Sequence, residues 1–196
     1  MNDATILAGL GLGSLTTGIL LLATGVCFSM VMRTLIAQAH GAGDVRFCRV
    51  LLNRQYFLNS LVYLVLIIPV FFLNDIYRAI GQDEQVAAYA VKYVRYVAPG
   101  VFFFMHTMAA VGAATSMKYT SAGLVITGTA SVAHLVMVYV FVSVLGWGFE
   151  GVAIATSVHL FIRFVVSQIY LRTISELWEV PDVSFLSKET FENLGY

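Results

Sequence analysis

Thr156, His159 and Arg163 recur at i, i+3 and i+7, so a helix would carry all three on one face. Ser131 and His134 form a second polar pair in the apolar run just before them. Hydroxyls, imidazoles and a guanidinium set in apolar sequence can line a polar cavity for a solute or relay protons. An ionisable side chain at membrane depth is costly and marks a functional site by default. The bland alternatives are hydrogen bonds to a neighbouring helix for the two histidines and snorkelling for Arg163. Arg163 lies about eight residues, or roughly 12 Å, before the end of its apolar run, a long reach for snorkelling.

Other patterns promise less. Gly146, Gly148 and Gly151 fit the spacing of a dinucleotide-binding loop, but that loop needs a strand before it. Here a membrane-length apolar run precedes it, so a tight turn is the better reading, with glycine permitting positive φ. Lys92, Tyr93, Arg95 and Tyr96 read as interface anchors at a helix entrance. His40 falls in a basic loop, and His106 lies midway along a span with no ionisable partner nearby. Cys27 and Cys48 have no metal or redox spacing. No nucleophile–base set, zinc spacing or phosphate loop occurs, which points away from an enzyme and from any cofactor.

These residues must be held by membrane helices. Of 196 residues, 59% are hydrophobic and 11% are charged, with a mean hydropathy of +0.84. A soluble domain carries about 25% charged residues. The zero formal net charge gives no global field for nucleic acid. Five runs have the roughly 20 apolar residues a spanning helix needs, over about 6–32, 56–73, 96–115, 122–145 and 152–171. They are apolar on all sides, which favours helices over barrel strands. None contains an acidic residue, so a coupling carboxylate is absent from them. Small residues in the first span (Gly9, Gly11, Gly13, Gly18, Gly25) and the fourth (Gly123, Thr127, Gly128, Thr129, Ser131) suit close helix contacts in lipid. Pro69 sits near the end of the second span and Pro99 near the start of the third, where a kink costs least.

The connections set the orientation. Arg33, Arg46, Arg49, Arg54, Lys118, Arg172 and Lys188 fall on one side, and Arg78, Lys92 and Arg95 on the other. The side with seven basic residues should be cytoplasmic, with the C-terminus inside and the N-terminus outside. An outside N-terminus without a basic leader is awkward to insert, which calls for one more helix before Met1. After the polar linker Glu176–Ser187, Lys188–Tyr196 starts an amphipathic pattern through Phe191 and Leu194. Residues 1–175 therefore read as part of a larger lobe, and 176–196 as a cytoplasmic linker plus the start of a further helix.

Several short stretches resemble the multidrug and toxic compound extrusion (MATE) family. Thr34–Gly43, with Gln38, Gly41 and Gly43, looks like its T-L-x-x-Q-A-x-G-A signature. Gly81-Gln82-Asp83 resembles its G-Q-D/N loop, and Tyr93–Gly100, with Pro99 and Gly100, its Y-x5-P-G helix start. Leu145–Thr156 resembles its L-G-x-G-x-x-G turn, and Ser187–Tyr196 the entry to its seventh helix. Their order and spacing cover nearly the whole chain. The resemblance implies an all-α membrane protein whose five transmembrane helices are helices two to six of a twelve-helix, two-lobed transporter fold. It implies exchange of organic, often cationic, solutes for H⁺ or Na⁺.

On that basis Ser131, His134, Thr156, His159 and Arg163 become cavity candidates. Met105 and Phe104 would add adaptable apolar contact, and Gln38 and Gly41 would pack the cytoplasmic loop. Two departures stand out: His134 replaces the usual Asn, and Ala109–Met117 replaces the usual L-x-x-Q-G helix end. The implied surroundings are the bilayer, a small organic solute, and a second lobe or further copies of the chain. A non-transporting associating subunit and a lipid flippase of related architecture are the alternative readings.

Overall fold

The computed structural model describes residues 3–180. The proposed linker beyond them and the helix start at Lys188–Tyr196 lie outside the described residues.

Five helices are long and apolar enough to cross a membrane. These are α1 (Ala4–Gly41), α2 (Val45–Phe71), α4 (Glu84–Ser116), α5 (Ala122–Val144) and α6 (Gly148–Arg172). A short helix, α3 (Leu73–Ala79), links α2 to α4, and a 3₁₀ turn, Ser175–Leu177, follows α6. No strand occurs among the described residues. Wider π-helical turns interrupt α1 at Thr17–Leu22 and close α5 at Tyr139–Val144.

The helices overrun the apolar runs that mark them. The first, second and third spans extend to Gly41, back to Val45 and back to Glu84. Hydropathy reports where lipid ends, whereas backbone capping decides where a helix ends. Gly43, at φ 79°, breaks the chain after α1. Asp44 caps α2, its carboxylate accepting from the Phe47 amide at 2.8 Å. Asp83 caps α4 by accepting from Gln85 and Val86, each at 3.0 Å. The expected basic loop is thus two helix ends around a tight turn, with His40 and Cys48 on helices. Pro99 is interior to α4 rather than near its start, so no amide remains there to bond the Arg95 carbonyl. Pro69 opens the short last turn of α2, as its place near the span's end suggested.

The hub is α4, with 72% of its apolar window buried, against 11–22% for the other four spans. Those four pack around it and turn their remaining apolar surface outward, as Leu15, Ile19, Leu64, Leu124 and Leu135 do. Close approach makes this possible. A Cβ on Gly100 would lie 2.7 Å from the Ser157 Cα, so α4 and α6 touch backbone to backbone there. The small residues of the first span split. Gly9, Gly13 and Gly25 meet α4, while Gly11 and Gly18 face open space. In α5, Gly128, Thr129 and Ser131 are exposed, and a Cβ on Gly128 would meet nothing among the described residues.

Two apolar clusters fill the bundle. One, at the end carrying Arg33, Arg49 and Arg172, joins Ile36, Leu51, Ala114, Met117, Ile126 and Leu171 to Ile174 and Leu177. The other joins Leu21, Tyr77, Val94, Val101, Met105 and Ala153. At the basic end the chain after α6 is clamped. Arg49 donates to the Leu177 carbonyl at 2.9 Å and lies 3.6 Å from the Trp178 ring centre. Trp178 donates to the Leu171 carbonyl at 2.8 Å, and His40 faces Glu176 at 3.7 Å.

Candidate functional site

α5 and α6 run antiparallel, which brings residue 130 opposite 159 and residue 127 opposite 163. His159 donates from Nδ1 to the Ala130 carbonyl at 3.0 Å. Arg163 donates from Nη2 to Thr127 Oγ1 at 2.9 Å, and its guanidinium carbon lies 5.8 Å from the Phe104 ring centre on α4. The His134 and His159 rings stand 4.6 Å apart at 48°. His134, His159 and Arg163 thus form one cluster across α5 and α6, with Phe104 of α4 beside it. Two of its buried nitrogens, His134 Nδ1 and Arg163 Nε, have no hydrogen-bond partner.

The remaining expected residues divide. Thr156 bonds back to the Val152 carbonyl of its own helix at 2.9 Å and joins no neighbour. Ser131 is exposed. Met105 is fully buried and packs on Gly25, so it fills the α1–α4 contact and lines no open surface in this bundle. Gln38 and Gly41 are exposed, so neither packs the turn. The contribution at Gln38 is its carbonyl, which accepts from the Ala42 amide at 3.0 Å. Gln82 likewise acts through its backbone, donating to the Tyr77 carbonyl at 3.0 Å. Gly146 and Gly148 take φ of 68° and 52°, as the tight-turn reading requires, and Gly151 abuts the Phe141 carbonyl. Lys92 and Tyr96 do more than anchor at an interface. Lys92 is ion-paired to Glu150 of α6, and the Tyr96 hydroxyl lies 3.5 Å from the same carboxylate.

A second polar set, on the α2 side of α4 and α6, was missed in the sequence. Gln55 donates to Asn59 at 2.9 Å, and Asn59 donates to the Met105 carbonyl at 2.8 Å. His106, expected to have no ionisable partner, has only neutral ones: its Nε2 lies 3.2 Å from Ser60 Oγ, and it donates from Nδ1 to the Phe102 carbonyl at 2.8 Å. Tyr56 stacks on His106 at 5.4 Å and accepts from Gln168 at 3.0 Å. The signal was present: Gln55 with Asn59, and Tyr56 with Ser60, are i, i+4 pairs on one face.

No group of three or more His, Cys, Asp or Glu side chains converges among the described residues. A cavity of about 500 Å³, lined by Asn74, Asp75, Arg78, Gln82 and Glu84, lies at the α3–α4 corner. It ends at Ala88, sixteen residues or roughly 24 Å along α4 from Phe104, and so is separate from the cluster.

The sequence profile of the MatE family matches residues 2–140. Among curated proteins, the chain is similar to Protein DETOXIFICATION 31 of Arabidopsis thaliana, 27% identical over 165 residues, covering 83% of this chain and 31% of that protein. It is also similar to Protein DETOXIFICATION 18 of the same plant, 27% identical, covering 76% and 32%. The chain spans about a third of the length of these relatives. The crystal structure of the eukaryotic MATE transporter AtDTX14 superposes with a TM-score of 0.88 at 21% identity, over 96% of this chain and 42% of that one. A crystal structure of a MATE in complex with MaD3S gives 0.72 at 20%, over 95% and 43%. At such identities the likeness shows the fold alone, a two-lobed transporter fold of which this chain carries five spans.

Proposed function

We propose, from the premise that this chain belongs to the MatE family, that it forms most of one lobe of an exporter moving organic solutes in exchange for H⁺ or Na⁺. Members of this family are transporters rather than enzymes, and they run on ion coupling rather than a cofactor. Such a transporter rocks two lobes about a site near the bilayer midplane. The observation that carries the reading is the α5–α6 cluster, where His134 and Arg163 keep unpartnered nitrogens at membrane depth. An unmet polar group in an apolar setting costs about 1–3 kcal/mol, and here one of the two unmet nitrogens belongs to a charged guanidinium, for which a bound solute would supply the missing acceptor.

In this reading the basic end faces the cytoplasm, in keeping with the charge asymmetry of the connections. The exposed α5 face with Leu124, Gly128, Ser131 and Leu135 is then covered by the remainder of the transporter. The test is reconstitution of this chain in vesicles, alone and with the complementary portion of a relative such as DETOXIFICATION 31. A pH or Na⁺ gradient is imposed and loss of a fluorescent organic solute is followed. Gradient-driven efflux that needs this chain supports the reading. No efflux from either preparation, with both polypeptides folded in the bilayer, removes it.

A further inference from the structure

We propose that Arg163, flanked by His134 and His159, binds the carboxylate of an organic anion between α5 and α6. The inference rests on the transport reading and narrows its solute class. A guanidinium has five N–H donors. In Arg163 one goes to Thr127 Oγ1, a neutral acceptor, and the buried Nε has no partner. No carboxylate among the described residues reaches the cluster. The acids within α4 and α6, Glu84 and Glu150, sit in the first turns, and Glu150 is held by Lys92. The cluster therefore holds a positive charge without a counter-charge.

A cationic solute placed there would add repulsion where the dielectric is low. An oxyanion does the reverse, because a carboxylate accepts two parallel bonds from the guanidinium fork. His134 offers a further donor in its Nδ1–H tautomer, since that buried nitrogen is otherwise unpartnered. His159 holds its Nδ1 proton on Ala130 and supplies ring surface instead. Phe104 and the two imidazoles give the site aromatic walls, which suits an aryl carboxylate. Depth decides between a solute and a lipid headgroup as the source of the oxyanion. Arg163 is nine residues, roughly 14 Å, before the end of α6, below the level of lipid phosphates.

The test uses the 196-residue chain in phosphatidylcholine nanodiscs, with salicylate as a fluorescent aryl carboxylate and benzyltrimethylammonium as its cationic counterpart. Salicylate anisotropy should saturate. Arg163→Gln should weaken binding about tenfold or more, and Arg163→Lys should fall between, keeping charge but losing the fork. Benzyltrimethylammonium should not compete. Four results overturn the proposal: no saturable binding to the unaltered chain, equal affinity in folded Arg163→Gln, displacement by the cation, or displacement by added phosphatidylglycerol. Should Arg163→Gln fail to fold, unchanged affinity in Arg163→Lys overturns the fork geometry. Arg163-dependent binding without gradient-driven efflux would leave this site standing and remove the transport reading. Efflux of a cation untouched by Arg163→Gln would do the opposite.

Discussion

The pair α4–α6 carries polar side chains on two flanks, and the flanks are finished differently. Toward α2, Gln55, Tyr56, Asn59, Ser60, His106 and Gln168 bond one another and the backbone, leaving only Gln55 Oε1 unmet. No member of that set carries a fixed charge. Toward α5, Arg163 and two histidines share only two cross-helix hydrogen bonds and leave two nitrogens unmet. In lipid, helices gain little from apolar contact, and cross-helix hydrogen bonds with close packing supply the adhesion. The α2 flank is built to hold helices together. The α5 flank keeps a charge that costs stability, as the proposed binding of a solute there would require.

Substitutions on the two flanks should therefore have opposite signs. Asn59→Leu should lower unfolding stability by about 2 kcal/mol, since it strands the buried Gln55 amide and removes the cross-helix bond to the Met105 carbonyl. Denaturant titration in detergent reads this, and a loss under about 0.5 kcal/mol would blur the distinction. Arg163→Leu should raise stability by about 1 kcal/mol, because it removes a charge from membrane depth at the expense of one hydrogen bond to Thr127. His106→Phe should cost about 1 kcal/mol, keeping the stack on Tyr56 but losing the bonds to Ser60 and Phe102. The mirror change, His134→Phe, should move stability by less than about 0.5 kcal/mol, since the lost Nδ1 has no partner. Parallel melting curves of the two histidine variants would expose an equal loss in both.

The five spans were legible because each is a long apolar run without an acidic residue, and the spacing of Thr156, His159 and Arg163 gave their shared face. Partners were not legible. Ala130 and Thr127 meet His159 and Arg163 only through the register of α5 on α6, which the turn at Gly146–Gly148 and the packing of Gly151 on the Phe141 carbonyl help to set. Helix ends were misjudged for a separate reason. Asp44 and Asp83 are single residues whose capping bonds outweigh the polarity of the turns after them. The Asn59 network escaped because the spans were marked by their lack of charge, and neutral amides carry none, although a buried amide must still find a partner.

The central claim is that α2 contacts hold the lobe together while the α5 cluster serves a bound partner. It is tested most directly by measuring unfolding free energies of Asn59→Leu and Arg163→Leu beside the unaltered chain in one lipid nanodisc. The account predicts that Asn59→Leu is the less stable by about 2 kcal/mol and Arg163→Leu is equal to or above the parent. A loss in Arg163→Leu as large as that in Asn59→Leu would make both flanks structural and contradict it.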